Sequence, residues 1–296
     1  MKKTSVFFLF LIISLGISMT ANAAPPRFFW IDRTLNHLWA DPDNWNIEAN
    51  PYYGVPTAIN EVRTYNANGL PDYILIQEGD TALCQDLILG EDVRSTTLRI
   101  DGGYLQFRNM FVGLNWGGDP PAGQSYVEVI INGGTVYSKF DGSFGGKIMG
   151  GYSDNTGSSG HIVQNGGEVI LESALELAAY GSKFLYELKG GVFDAKWVNT
   201  LQEDPYSAKI DITYGTLVLD TVGNFLNDLV PYGYISVNGT VVTDPNMFNY
   251  DLDTYPTRVG IKVKNPPLHA DLNNDKVIDL SDFAILAGEW LESREY

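Results

Sequence analysis

The chain has 296 residues, with 19 Lys and Arg against 36 Asp and Glu and a net charge of −17. So acidic a surface argues against nucleic acid and anionic lipid as partners and suits calcium and neutral or basic partners. The single cysteine, Cys84, excludes an intramolecular disulfide and reads as a small buried apolar residue.

The N-terminus reads MKKTSVFFLFLIISLGISMTANAAPP: Lys2 and Lys3, an apolar run, then the small-residue site Ala21-Asn22-Ala23. This is the pattern of a secretory signal peptide over residues 1–23, with no cysteine after it to take a lipid. Its removal leaves 17 basic and 36 acidic side chains, net −19. No other segment is long and apolar enough to cross a bilayer, so an exported protein that is not integral to a membrane is expected. Next comes HLWADPDNWN, with Trp39 and Trp45, followed by GVPT. It resembles the entry segment of secreted bacterial β-helical proteins, autotransporter-like repeat proteins among them. The resemblance implies a cap over the open first coil, whose edge would otherwise recruit other chains.

The middle repeats itself loosely: LRIDGGYLQF, VIINGGTVYS, IVQNGGEVIL, YELKGGVFDA and the degenerate DITYGTLVLD. The glycine pairs begin at Gly102, Gly133, Gly166 and Gly190, separated by 31, 33 and 24 residues. Two places before the pair stand Ile100, Ile131, Gln164, Leu188 and Ile212; two places after it stand Leu105, Val136, Val169, Phe193 and Leu217. These columns are apolar except at Gln164, as inward positions of stacked strands should be. Glycine between them permits the sharp backbone of a corner. The pattern predicts an all-β, right-handed parallel β-helix of about five to seven coils, with a β-sandwich as the structural alternative. YGYISVNGTVVTD through VGIKVK supplies the last strands before a linker at Asn265-Pro266-Pro267.

Many β-helices cleave polysaccharides, so stacked carboxylates are the feature to look for, about 5–5.5 Å apart for a retaining glycosidase and 6.5–9.5 Å for an inverting one. The column before the glycine pair holds Asp101, Asn132, Asn165, Lys189 and Thr213; the column after it holds Tyr104, Thr135, Glu168, Val192 and Thr216. Neither stacks two acids, and Arg99 and Arg108 stand isolated on either side of Asp101. Asn132 and Asn165 read as a structural ladder at a turn. His37, His161 and His269 lack metal-ligand spacing. No catalytic residue is nominated. Trp116, Tyr126, Tyr137, Tyr152 and Tyr180 lie near predicted turns or outward positions, where aromatic rings can stack on sugars.

The tail ADLNNDKVIDLSDFAILAGEWLE places oxygen-bearing side chains at Asp271, Asn273, Asp275, Asp279 and Asp282, positions 1, 3, 5, 9 and 12 of a loop, with the carbonyl of Val277 at position 7. That spacing suits one calcium ion. A helix then starts near Asp282, with Phe283, Leu286 and Trp290 on one side. Position 6, usually glycine, is Lys276, at a cost of about 1 kcal/mol. The segment resembles a type I dockerin repeat, whose loop also ends on Asp, though one repeat stands where a complete dockerin carries two. The resemblance implies a cohesin-type partner, met through Leu280, Ser281, Phe283, Leu286 and Trp290, and polysaccharide breakdown as context. The predicted organisation is a signal peptide over 1–23, a β-helical domain with its cap over 24–264, and a linker with the calcium repeat over 265–296. The expected role is a noncatalytic protein tethered in a polysaccharide-binding or polysaccharide-degrading assembly. A polysaccharide lyase or glycoside hydrolase, and a surface adhesion or structural protein, are the alternatives.

Overall fold

The computed structural model describes residues 26–47, 54–64, 72–90, 95–114, 126–142, 145–152, 159–179, 182–200, 207–255 and 257–264. The segments expected to form a signal peptide and a calcium loop with a following helix, together with Trp116, Tyr180 and His269, lie outside the described residues, and Tyr152 is described by its backbone alone. What is described is an all-β protein built on parallel pairing.

One sheet runs, in spatial and chain order, through Asp72–Ile76, Thr96–Ile100, Tyr126–Ile131, Ser159–Gln164, Lys183–Leu188, Ala208–Ile212 and Ile235–Val237, each parallel to the next. After each strand from the first to the sixth the chain turns a short corner into a second, larger sheet and later returns. The corner is three residues long at 101–103, 132–134, 165–167, 189–191 and 213–215, and four at 77–80. The return is uneven: 13 residues from 113 to 125 but three from 180 to 182.

The two columns expected to face inward do so in register. Ile76, Ile100, Ile131, Gln164, Leu188 and Ile212 are consecutive parallel partners. So are Ala82, Leu105, Val136, Val169, Phe193 and Leu217. All twelve are buried. Val136, Val169 and Phe193 therefore line up along parallel strands, not across facing antiparallel sheets. Each such apolar side chain contributes about 1.5–3 kcal/mol on burial. Gln164 breaks the apolar rule without an orphaned polar atom: its Oε1 accepts from the buried Tyr186 hydroxyl at 2.7 Å, and its Nε2 donates to the carbonyls of Val192 (3.0 Å) and Gly167 (3.3 Å).

The second glycine of each pair is the one the corner requires. Gly103, Gly134, Gly167 and Gly191 have φ of 70°, 76°, 70° and 72°. The carbonyl of each accepts from the next unit, through the amides of Thr135, Glu168, Val192 and Thr216 at 3.0–3.1 Å. A β-carbon at Gly134, Gly167 or Gly191 would strike the glycine carbonyl of the preceding unit. Beside them the expected ladder forms: Asn132 Nδ2 donates to Asp101 Oδ1 at 2.7 Å and Asn165 Nδ2 to Asn132 Oδ1 at 2.8 Å.

In the larger sheet, Thr135–Ser138 and Lys147–Tyr152 both pair with one long strand, Glu168–Ala179, along its first and second halves. Where they meet, the register toward Val192–Thr200 shifts between Leu171 and Ala174. Glu172 lies within this irregular stretch.

Both ends of the stack change to antiparallel pairing. At the N-terminal end Phe28–Trp30 pairs parallel with Glu61–Thr64 and antiparallel with Trp45–Ile47. Trp30, Trp39 and Trp45 are fully buried there, with edge-to-face rings 4.9 and 4.7 Å apart and Trp45 Nε1 donating to the Trp39 carbonyl at 2.8 Å. At the C-terminal end Thr216–Leu219, Val259–Val263 and Phe248–Asp251 pair antiparallel, and Phe225, from the short helix Asn224–Leu229, packs on Phe248 with ring centroids 5.0 Å apart. The other sheet closes on a hairpin whose two-residue turn, Asn238-Gly239, has φ of 50° and 77°; both positive, these are the signs of the turn that matches strand twist. Among the described residues no helix is long and apolar enough to cross a membrane.

Candidate binding groove

Alternation along the strands of the smaller sheet puts every second side chain outside. Parallel register then assembles rows from distant residues. One row runs Glu128, His161, Leu185, Lys209; the next runs Val163, Glu187, Asp211, Ser236. Two depressions lie on this face, about 740 and 320 Å³, and both are lined by Leu185 and Lys209. Glu187, Lys189, Asp211 and Tyr214 belong to the larger, and Tyr126, His161 and Lys183 to the smaller. The result is an open groove crossing the Ser159–Gln164, Lys183–Leu188, Ala208–Ile212 and Ile235–Val237 strands.

The acids along it are engaged. His161 lies between two carboxylates, Nδ1 at 3.4 Å from Glu128 Oε1 and Nε2 at 3.1 Å from Glu187 Oε2, with the Tyr126 hydroxyl 3.3 Å from Nδ1. Glu187 also holds Lys189 Nζ at 2.9 Å. Burial pushes Glu187 upward, but the bonds and charges of Lys189 and His161 outweigh it and hold the carboxyl below its ordinary value. The buried Asp211 accepts from Ser236 Oγ at 2.8 Å and from the Gly239 amide at 3.1 and 3.2 Å.

Glu187 and Asp211 are direct partners on adjacent parallel strands, a stacked carboxylate pair that the two columns beside the glycines do not contain. It stands one column further out, at the place occupied by Arg99, Ile130 and Val163 in earlier units. The same alignment of repeats exposes it when that column is read. A glycosidase needs one carboxylic acid kept protonated near neutrality, and the surroundings of Glu187 favour its charge instead.

The residues singled out from sequence fall in different places. Asp101 belongs to the asparagine ladder and to Arg99, whose Nε donates to Oδ1 at 2.7 Å, and that bond first of all lowers its pKa. Glu168 and Tyr104 flank Thr135 in the larger sheet, away from the groove. Tyr126, 42% exposed, is the nominated aromatic that reaches the groove. Tyr137 is occupied: its hydroxyl donates to Glu172, which also accepts from the Phe140 amide at 2.7 Å, and its ring stacks on Tyr104 at 6.5 Å. Cys84 is buried with its thiol pushed well up by desolvation, so it is structural.

A second polar cluster lies on the larger sheet. Arg258 donates to Asp194 and, at 2.6 Å, to the Ala195 carbonyl, and its Nε stands 2.8 Å from Asp220 in ion-pair contact without hydrogen-bond alignment. Burial, helped by the nearby charge of Asp220, raises Asp194 more than Arg258 lowers it. The cluster ties the closing antiparallel strands to the stack. Among the described residues no group of three His, Cys, Asp or Glu could hold a metal ion. Compared with protein-family models, curated proteins and solved structures, the chain matches none.

Proposed function

We propose that the chain folds as a right-handed parallel β-helix, works outside the cell, and binds a glycan strand along the groove of its smaller sheet without cutting it. The calcium repeat at 271–282 tethers it, through a cohesin-like partner, in a polysaccharide-handling assembly. The observation that carries the glycan reading is the continuity of the groove at Leu185 and Lys209 across four adjacent strands. Strands about 4.8 Å apart make that crossing roughly 14 Å long, a shape for a linear polymer and not for a compact metabolite. Its lining mixes hydroxyl, amide and charged groups with Tyr126 and Tyr214, which suits sugar hydroxyls and sugar faces. The test is a panel of plant and algal polysaccharides scored for both retention and cleavage. Retention without new reducing ends or unsaturated products supports the reading; no retention on any polymer ends it.

A second reading, as a lyase or hydrolase, is favoured by the Glu187–Asp211 register alone. Cleavage abolished by Glu187→Gln or Asp211→Asn would establish it and locate the site.

A further inference from the structure

The smaller depression carries a charge pattern opposite to that of the whole chain. With 36 carboxylates for 19 cationic side chains, several described cations are taken up by carboxylates: Arg99 by Asp101, Arg108 by Asp86, Lys147 by Glu176 and Lys189 by Glu187. Lys183 and Lys209 are not. Among the described residues neither ammonium group has a hydrogen-bond or ion-pair partner, and no carboxylate lines the hollow they share.

The two lysines are brought together by register. Lys209 is the parallel partner of Leu185, two residues after Lys183. They are thus one strand, about 4.8 Å, across and two residues, about 6.6 Å, along. Both stems are long enough to converge on one ligand group. The exposed ring of Tyr126 forms the rim, and the hollow opens into the larger groove at Leu185 and Lys209.

We infer that this hollow is a subsite for an anionic group on a glycan, a uronosyl carboxylate or a sulfate ester, with Lys183 and Lys209 as its counter-charges and Tyr126 stacking on the sugar that bears it. The inference rests on the glycan reading above and narrows its ligand. It runs against what net charge alone implies, and distance resolves the conflict. At about 0.1 M ionic strength the Debye length is about 10 Å, so acids farther off are largely screened. The nearer Glu128 and Glu187 are turned to the Tyr126 hydroxyl, His161 and Lys189 and leave the two lysines free for direct contact. An ammonium is a compact point charge with no planar fork to match, so carboxylate and sulfate are both admissible.

The test uses the full chain at 0.1 M salt or so, with EDTA to keep the tail from bridging polymers through calcium. Affinity electrophoresis is run against polygalacturonate, a sulfated galactan and a neutral galactan. At least one anionic polymer is expected to be retained more strongly than the neutral one, and which one names the group. Each exposed charge contact is worth up to about fivefold, so Lys183→Gln with Lys209→Gln should weaken retention on that polymer by about two- to 25-fold, and by more than it weakens retention on the neutral one. Lys183→Arg with Lys209→Arg should keep it, and thermal melts confirm that the surface variants fold. Equal retention of charged and neutral polymers, or undiminished retention by the double Gln variant, overturns the subsite and leaves the glycan reading standing. Retention of no polymer overturns both.

Discussion

The Tyr186 hydroxyl donates to Gln164 Oε1 across 2.7 Å inside the stack, where both side chains are buried. Gln164 stands between Ile131 and Leu188 in an otherwise apolar column, so the pair is a polar insertion that each partner makes tolerable. Tyr186→Phe should destabilise by about 1 kcal/mol, and Gln164→Leu by about 1–3 kcal/mol, because it leaves the buried Tyr186 hydroxyl without its acceptor. The double variant should recover part of the sum, with a coupling of about 1 kcal/mol in denaturant melts. Strict additivity would mean that the bond contributes nothing.

Two glycines separate backbone conformation from crowding. Gly79 has φ of 89° with open space where a β-carbon would go, whereas Gly167 has φ of 70° with the Gly134 carbonyl 2.6 Å from that point. Gly79→Ala should cost about 1–2 kcal/mol, the left-handed penalty alone. Gly167→Ala should cost more, since two successive units must part to admit the methyl. Equal losses in chemical melts would show that the corner column is loose.

The Tyr137–Glu172 bond should write itself into the pH dependence of stability. The Tyr137 hydroxyl, ahead of every other cause, holds Glu172 below its ordinary 4.5. The same bond, ahead of burial, pushes Tyr137 from 10.0 up to about 12. A lowered acid contributes stability above its unfolded value and loses it as pH falls through its folded one; a raised phenol contributes below 10.0 and loses it as pH rises through about 12. Tyr137→Phe should therefore cost about 0.5–1 kcal/mol near neutrality, solvent keeping it small. The difference from wild type should vanish in acid, once Glu172 is protonated. A difference that persists unchanged at pH 2 or so would assign the effect to ring packing.

Arg258 offsets a charge that burial disfavours. Asp194 is raised by burial, so its contribution to stability is greatest below its unfolded value of 3.8 and is lost as pH rises through the folded one. At neutral pH the ionised carboxyl leans on Arg258, and the two side chains are 19% and 24% exposed. Arg258→Ala should lower stability at pH 7 by about 2–4 kcal/mol, and the loss should shrink toward pH 4 as Asp194 takes up a proton. A loss that is the same at pH 7 and pH 4 or so would assign the role to the Ala195 carbonyl bond instead.

Calcium affinity is checked by calorimetry on the full chain. If Asp271, Asn273, Asp275, Asp279 and Asp282 form the proposed calcium loop, one ion should bind at about 10⁻⁴–10⁻³ M. Asp275→Ala should abolish binding and Lys276→Gly should tighten it by relieving the backbone. Wild type indifferent to calcium at 10 mM or so, well above that range, would reduce the loop to an acidic tail.

The parts of this molecule that were legible in sequence are those a single unit writes for itself. Alternation around a glycine pair located Val136, Val169, Phe193 and their buried column, and it located the Asn132–Asn165 ladder, because both depend on position within one unit. The groove depends on what different units present side by side: Lys183 and Lys209 lie 26 residues apart and become neighbours only through register. The merging of two strands into Glu168–Ala179, with its register shift after Leu171, has no local signature at all. The antiparallel closing strands were visible as strands but not as a change of direction, although Asn238-Gly239 is a strong hairpin signal.

The two corners of the stack differ in one respect that matters to anyone wishing to alter it. The glycine corner keeps three residues in five successive units, while the opposite connection varies from three to 13. A residue added at the glycine corner would turn every following side chain of its strand to the wrong face, whereas closure entropy makes lengthening a surface connection inexpensive, about 0.6 kcal/mol for each doubling. Length varies most at that opposite edge, and less within the larger sheet, where one residue separates Tyr104–Phe107 from Asn109–Val112 but eight separate Thr135–Ser138 from Lys147–Tyr152. A reporter peptide or a foreign binding loop grafted between Val112 and Tyr126 should be carried as passive cargo, and the same graft between Ile131 and Thr135 should unmake the fold.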